Sequence, residues 1–397
     1  MEPWSLPNLP FFEDRHYAIA RKAAAWREGA YGTDDLAERA KRIVRSLAKE
    51  RLLDIVIPPV TGGGAAFDAR ALCACREALG FQNLLADGMF TMQGLGTAII
   101  SLHGTDDQRT RYLHPAREGE TIAGLAISEA DAGSDVAAIS TTATKRTGGF
   151  ILNGEKTWIS NARFADHYIV LARTGEQAGS RGLSAFIVDA KAEGLSQSPI
   201  ELFVEHPVGS LAFEDCFVPD SSLIGAPGQG FKLAMSTFDF FRPSVGAAAI
   251  GAAKRAFNEA LIRVTGRSMY GRLMADTETV RLKLADMAVE IETSSLAVYQ
   301  AAWMTDATDR RITKYSSISK LAATECAQRV VDTAVQIFGA AGIVEDSVVG
   351  KLYRDVRPMR IYEGASEVQK LVIGKEIVAD WIAGYFGPKA QGSIPSP

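Results

Sequence analysis

The chain reads as an α+β protein in three consecutive parts: a helical N-terminal domain at 1–124, a middle domain built on an antiparallel β-sheet or barrel at 125–235, and a C-terminal helical bundle at 236–397. Three observations predict this. Apolar residues recur at helical spacing in the first third. Between Ile122 and Gly230, short runs rich in β-branched and aromatic residues are separated by Gly, Ser and Pro, too close together for crossover helices. Beyond Gly230 the helical period returns, in segments long enough to cross a domain.

Over Asp35–Glu50, Leu36, Ala40, Ile43 and Leu47 build one helical face, with Thr33 as the N-cap and Asp34 and Asp35 near the positive helix end. The Pro58–Gly64 stretch breaks that pattern, which resumes from Ala69 to about Leu79 and again before His103-Gly104. In the middle part, Gly149–Ser160 reads as two extended runs folded around Asn153-Gly154 as a hairpin turn. His167–Arg173, Leu183–Val188 and Ser210–Val218 are further strands. Two long helices follow over Val280–Met304 and Ile312–Phe338, the second stopping at Gly339 and Gly342. The tail Gln391–Pro397 has a disordered composition.

Composition narrows the function classes. Forty-three Lys+Arg against 47 Asp+Glu give a net charge of −4, without the basicity that nucleic-acid binding leaves. The longest uncharged run, from Asp87 to Asp106, carries Thr91, Gln93 and Ser101 and is too polar for a membrane span. Four cysteines without a CxxC pair fit a reducing cytoplasm, and no leader is evident at the N-terminus. No GxGxxG follows a strand, and GxxxxGK[ST], HExxH and HxH spacings are missing, which removes the sequence basis for a Rossmann dehydrogenase or a metal hydrolase.

Two segments carry candidate chemistry. In the first, Leu125–Val136 with Lys156–Asn161, hydroxyl residues beside glycine let backbone N–H groups approach a planar polar ligand, and Trp158 offers a stacking surface. Alone, this reads more readily as a turn beside a core tryptophan. In the second, Arg354–Gln369, Glu363 stands between Tyr362 and Gly364 after a proline-broken basic run. A carboxylate there in an apolar pocket has a raised pKa and suits a general base, although a lone Glu before a helix reads first as a partner for the helix dipole.

Together the segments resemble the acyl-CoA dehydrogenase family, from roughly Phe11 to Ile382. The resemblance rests on Ser-Glu-Ala-Asp-Ala-Gly-Ser-Asp at 128–135, Gly-Glu-Lys-Thr-Trp-Ile-Ser-Asn at 154–161, Tyr-Arg-Asp at 353–355 and Ile-Tyr-Glu-Gly-Ala-Ser-Glu-Val-Gln at 361–369. It implies FAD held between the middle and C-terminal domains, and removal of hydrogen from Cα and Cβ of an acyl-CoA thioester. Glu363 is implied as the catalytic base, its backbone N–H helping to hold the thioester oxygen. Leu125, Ala126, Ile127, Ser128, Gly133 and Ser134 are implied to line the flavin, Ser134 also meeting the CoA chain. Trp158, Ile159 and Ser160 are implied to flank the isoalloxazine. Asp239 and Arg242 match the acyl-CoA segment, with Glu363 and Gly364 beside them. Arg267 and Tyr270 match an arginine-containing element that meets the FAD pyrophosphate, usually from a neighbouring subunit. Gln336, Gly339, Gly364, Ala365 and Glu367 would complete the dinucleotide site. The implied partners are an electron-transfer flavoprotein and further copies of the chain, as a homotetramer or homodimer.

Four positions depart from the family pattern: Glu278 for Gln, Ala365 for Thr, Tyr270 for Phe and Ala340 for Gly. Phe241 occupies the place where some relatives carry the base, which strengthens Glu363. A flavin-dependent oxidase or monooxygenase of the same fold stays open, as does, more distantly, a non-catalytic relative. Met89, Phe90, Met92, Phe240 and Phe241 suggest a short or cyclic acyl group, or plain core.

Overall fold

The computed structural model describes residues 4–29, 35–61, 64–65, 67–308 and 311–386. The N-terminal part holds α1 (Asp14–Ala25), α2 (Leu36–Lys49), a two-residue ribbon of β1 (Val60–Thr61) and β2 (Gly64–Ala65), α3 (Ala69–Gln82), α4 (Leu84–His103) and α5 (Asp106–Arg117). On α2 the expected face is buried, with Val44 added to Ala40, Ile43 and Leu47. The cap is Asp35, whose side chain accepts from the Ala37 N–H. Thr33 and Asp34 lie outside the described residues. The uncharged run becomes α4, a helix buried over almost its whole surface, started by Asn83 accepting from the Leu85 and Ala86 N–H groups. Among the described residues no helix is long and apolar enough to cross a membrane.

The middle part is one eight-stranded sheet: β3 (Ala123–Ala126), β4 (Thr142–Arg146), β5 (Gly149–Ser160), β6 (His167–Arg173), β7 (Leu183–Asp189), β8 (Leu195–Ile200), β9 (Val208–Pro219) and β10 (Leu223–Ile224). Two expectations are corrected. The sheet is mixed, since β3 runs parallel to β6 from Ala123 opposite His167 to Ala126 opposite Val170. β3 arrives from a helix, not a hairpin, so nothing forces it antiparallel.

The second correction concerns Asn153-Gly154, which is no turn. Gly149–Ser160 is one continuous strand, and the β4–β5 hairpin closes instead at Thr147-Gly148, with Arg146 opposite Gly149. Asn153 bonds across to Asp215 on β9, and the register slips there because β9 bulges, Glu214 and Asp215 (φ +50°) standing opposite Asn153 alone, with Gly154 next to it at φ +137°. β8, low in β-branched residues, gave no sequence signal.

The C-terminal part contains α6 (Gly230–Gly266), a ribbon of β11 (Ser268–Met269) and β12 (Arg272–Leu273), α7 (Glu278–Ala307), α8 (Thr313–Phe338), α9 (Val348–Val356) and α10 (Ser366–Phe386). Gly339 ends α8 at φ +63°. The expected division after residue 124 falls inside β3 and that after 235 inside α6; the tail 391–397 lies outside the described residues.

The outer helical parts share one core. At the crossing of α3 and α6 a Cβ on Gly251 would stand 2.1 Å from the Glu77 carbonyl oxygen, and one on Gly80 2.5 Å from that of Ala248. Beside it the buried Glu77 carboxylate accepts from Trp4 Nε1 (3.2 Å), Lys254 Nζ (2.6 Å) and Tyr299 Oη (2.7 Å), joining the N-terminal segment, α3, α6 and α7. Gly251→Ala is expected to destabilise by about 1–3 kcal/mol, because a backbone carbonyl cannot yield to the new methyl group. Chemical denaturation checks this.

Candidate active site

A cavity of about 430 Å³ opens where the ends of β3 and β5, the face of α4, Phe238 of α6 and the turn after α9 converge. Of the expected site residues it gathers Leu125, Ile127, Ser128, Trp158, Ile159, Ser160 and Glu363. The long segment around Ser128 is held for a local reason. The Glu129 carboxylate, almost buried, accepts from Lys156 Nζ (2.8 Å), from the Thr141 N–H and hydroxyl and from the Ser140 N–H and hydroxyl. Burial would raise its pKa, but these donors outweigh burial and hold it down at about 2. Lys156 also donates to the Ile127 carbonyl (3.0 Å), and the Thr157 N–H to that of Ser128 (2.9 Å). Much of both motifs therefore fastens the β3 loop to β5, leaving Ser128 and Trp158–Ser160 at the cavity wall.

Trp158 stands at φ +61° with 59% of its surface exposed, an unusual state for a large β-strand aromatic. Ser160 Oγ lies 2.8 Å from His206 Nε2, and burial pushes that imidazole down to about 4, so it is neutral at pH 7.

Glu363 sits at φ +51° in the turn between Arg360 and α10. The turn is clamped through its carbonyls. Lys320 Nζ donates to the Gly364 oxygen (2.8 Å), Gln369 Nε2 to those of Gly364 (3.0 Å) and Glu363 (3.3 Å), and Arg242 Nε reaches the Glu363 oxygen at 3.5 Å. The carboxylate itself is left free: Oε2 is buried with no hydrogen-bond partner. Burial pushes its pKa above the ordinary 4.5, opposed by Arg76, Arg242 and Lys320 and assisted by Asp87.

The remaining expected residues do not line the cavity. Ala126 is fully buried in the sheet, so it can offer only its backbone, and Gly133 and Ser134 are exposed on the loop beyond β3. Asp239 and Arg242 pair with each other at 2.9 Å, and Asp239 also accepts from Thr313. Arg267 and Tyr270 are exposed around β11, Gln336 and Gly339 at the end of α8, and Glu367 in the first turn of α10. Gly364 and Ala365 form the clamped turn. Of the bulky residues thought to shape the pocket only Met92 reaches it; Met89, Phe90 and Phe241 are core, and Phe240 packs on Phe67 at 5.2 Å between ring centres.

Sequence reasoning missed Arg76, Asp87, Thr91 and His206. Arg76 of α3 and Asp87 of α4 form a bidentate pair (2.9 and 2.8 Å) that is 2% and 3% exposed, and Arg76 Nη1 donates to Ser244 Oγ at 2.9 Å. One signal was present: Asp87 is the only Asp, Glu, Lys or Arg of the apolar run Leu84–His103, and a buried charge there must pair.

Asp87→Ala should cost about 3–5 kcal/mol in a denaturant titration, since Arg76 is left buried and unpaired. Glu363 predicts the opposite sign. Its raised folded-state pKa means that stability present below pH 4.5 is lost as pH rises through the folded value. Glu363→Gln should therefore unfold at a higher temperature than wild type at mildly alkaline pH. The gap should close as pH falls toward 4.5.

Comparison with known proteins identifies the family. Three family models match in chain order: the acyl-CoA dehydrogenase N-terminal domain over residues 15–120, the middle domain over 124–216 and the C-terminal domain over 228–378. The 3-(aryl)acrylate reductase of Clostridium sporogenes is 35% identical over 378 residues, covering 93% of this chain and all of that protein. The caffeyl-CoA reductase-Etf complex subunit CarC of Acetobacterium woodii is 32% identical over 376 residues, 91% of this chain and 98% of the relative. Among solved structures, acyl-CoA dehydrogenase from Geobacillus kaustophilus aligns with a TM-score of 0.85 at 28% identity, covering 93% and 99% of the two chains. The chain belongs to the acyl-CoA dehydrogenase family.

Proposed function

We propose that the chain binds FAD and dehydrogenates an acyl-CoA thioester between Cα and Cβ, with Glu363 as the base. One arrangement supports this above all: a buried carboxylate oxygen without a partner shares a cavity with Ser128 and Trp158–Ser160. The fit to a flavin ring is chemical as well as spatial. Trp158 is a large aromatic surface held out of the sheet by a left-handed backbone, as a stacking ligand requires, and the small residue Ser160 and the β3 end leave polar groups beside it. When bound, FAD supplies the acceptor for the hydride from Cβ.

The protein's own share is proton transfer and positioning. A thioester Cα–H is weakly acidic, so the base must be desolvated and the developing enolate oxygen must meet a donor. Burial raises the proton affinity of Glu363, and the clamp on its own and the neighbouring carbonyl fixes the backbone while leaving the carboxylate unbonded. Its backbone N–H is the proposed donor to the thioester oxygen.

Arg267, Tyr270, Gln336, Gly339 and Glu367, exposed on the single chain, are proposed to meet the dinucleotide portion across a homotetramer or homodimer contact. Exposed apolar side chains on α7 and α10, among them Leu282, Trp303, Leu371 and Trp381, support such an assembly. The relative named for an Etf complex supports an electron-transfer flavoprotein as acceptor. Four buried, unpaired cysteines support a cytoplasmic setting.

Glu363→Gln should retain stoichiometric FAD yet lose about 10²- to 10⁴-fold in the rate of anaerobic flavin bleaching by acyl-CoA. Substantial bleaching by the variant would remove Glu363 from its role. In wild type, kcat/KM should fall as pH drops through the raised Glu363 pKa, because the base must be ionised. Rapid reoxidation of the bleached enzyme in air would favour an oxidase.

A further inference from the structure

One polar group at the cavity has no task in this chemistry. Thr91, on α4, lines the cavity and is 4% exposed, yet its hydroxyl has no hydrogen-bond partner. Its neighbours on the same helix behave differently. Thr97 donates to the Gln93 carbonyl at 2.7 Å and Ser101 to that of Thr97 at 3.1 Å, the usual way in which a helix absorbs such groups. A buried hydroxyl that forgoes this bond is costly unless something else completes it.

The cation at the same wall is already committed. Among the described residues, Arg76 is the only Lys or Arg lining the cavity, and Asp87 and Ser244 take its donors. Asp87 and Glu205 are likewise ion-paired, with Arg76 and with Arg39 and Lys351, while Asp355 and Glu363 bring carboxylates without an ion pair among the described residues to the lining. A second carboxylate on an entering acyl group would meet anions and no unpaired cation. The other walls, including Leu84, Met92, Leu95 and Phe238, are apolar.

We infer that the acyl group is uncharged and carries an oxygen beyond Cβ, a hydroxyl, carbonyl or phenol, that bonds with the Thr91 hydroxyl. Cα and Cβ are reserved because each gives up a hydrogen. The inference rests on the reading of this cavity as the acyl-CoA site. A site that hydrogen-bonds a substrate oxygen disfavours the analogue lacking it, because its own group is then left unpaired.

The test uses the full-length, FAD-loaded protein with matched thioesters: pentanoyl-CoA against 5-hydroxypentanoyl-CoA, 3-phenylpropionyl-CoA against 3-(4-hydroxyphenyl)propionyl-CoA, and glutaryl-CoA as the anionic member. Calorimetric Kd and kcat/KM with a dye acceptor are both measured. In at least one pair the oxygenated member should be preferred by about tenfold in both quantities, and glutaryl-CoA should bind about tenfold more weakly than pentanoyl-CoA. Thr91→Val should bring the members of the preferred pair to within about twofold of each other, and Thr91→Ser should restore the preference. Equal wild-type constants within both pairs, a preference that survives Thr91→Val, or tight glutaryl-CoA binding would each overturn the inference. The wild-type pairs decide alone if Thr91→Val fails to fold. Flavin bleaching with equal constants for plain and oxygenated members would sink the inference and spare the dehydrogenase reading; no bleaching by any thioester would sink both.

Discussion

The site depends on keeping one carboxylate unbonded inside the protein. Glu363 combines a left-handed backbone, burial and an oxygen without a donor, and such features cost of order 1–3 kcal/mol each. They persist because the surrounding structure over-determines the turn. Lys320 comes from α8, Gln369 from α10 and Arg242 from α6, and all three grip carbonyl oxygens, none the carboxylate. A donor aimed at Oε2 would have been easier to fold and would have lowered the pKa that the proposed chemistry needs. The three-helix convergence behind the turn is thus the condition for the raised proton affinity, not a neutral scaffold around it.

The fold was legible where periodicity is long and unambiguous. Gly230 as the start of α6 and the extents of α8 and β6 followed from residue spacing alone, because a helix of dozens of residues or a β-branched run tolerates few alternatives. Local turn chemistry misled where tertiary pairing overruled it. Asn153-Gly154 has the composition of a tight turn, but β9 lies alongside and Asp215 engages Asn153, so the dipeptide runs on through β5 opposite a bulge in β9 and the chain turns at Thr147-Gly148 instead. The parallel placement of β3 was invisible, since strand direction is decided by where the preceding helix delivers the chain.

The candidate site divides in the same way. Ser128, Trp158, Ser160 and Glu363 sit in contiguous motifs, and the cavity gathers them. Part of those motifs proved structural: Glu129 and Lys156 make the fastening that brings the two segments together. Arg76, Asp87, Thr91 and His206 belong to ordinary-looking helix and loop sequence, and only the packing of α3 on α4 and of the 201–208 loop beside Ser160 makes them neighbours. Residues that act by facing each other across elements leave no spacing to read.

The crossing of α3 and α6 has a consequence for biosynthesis. Glu77 and Gly251 touch at backbone distance, although the whole sheet lies between them in the chain. At about 5–20 residues per second, the ribosome needs roughly 10–35 s to deliver α6 after α3. Throughout that interval the apolar flank of α3 has no native cover. The β-sheet, whose strands all lie between residues 123 and 224, is fully synthesised in the meantime. The α6-facing side of α3 is therefore a surface that the nascent chain must keep from other contacts until residue 251 and its neighbours have been made.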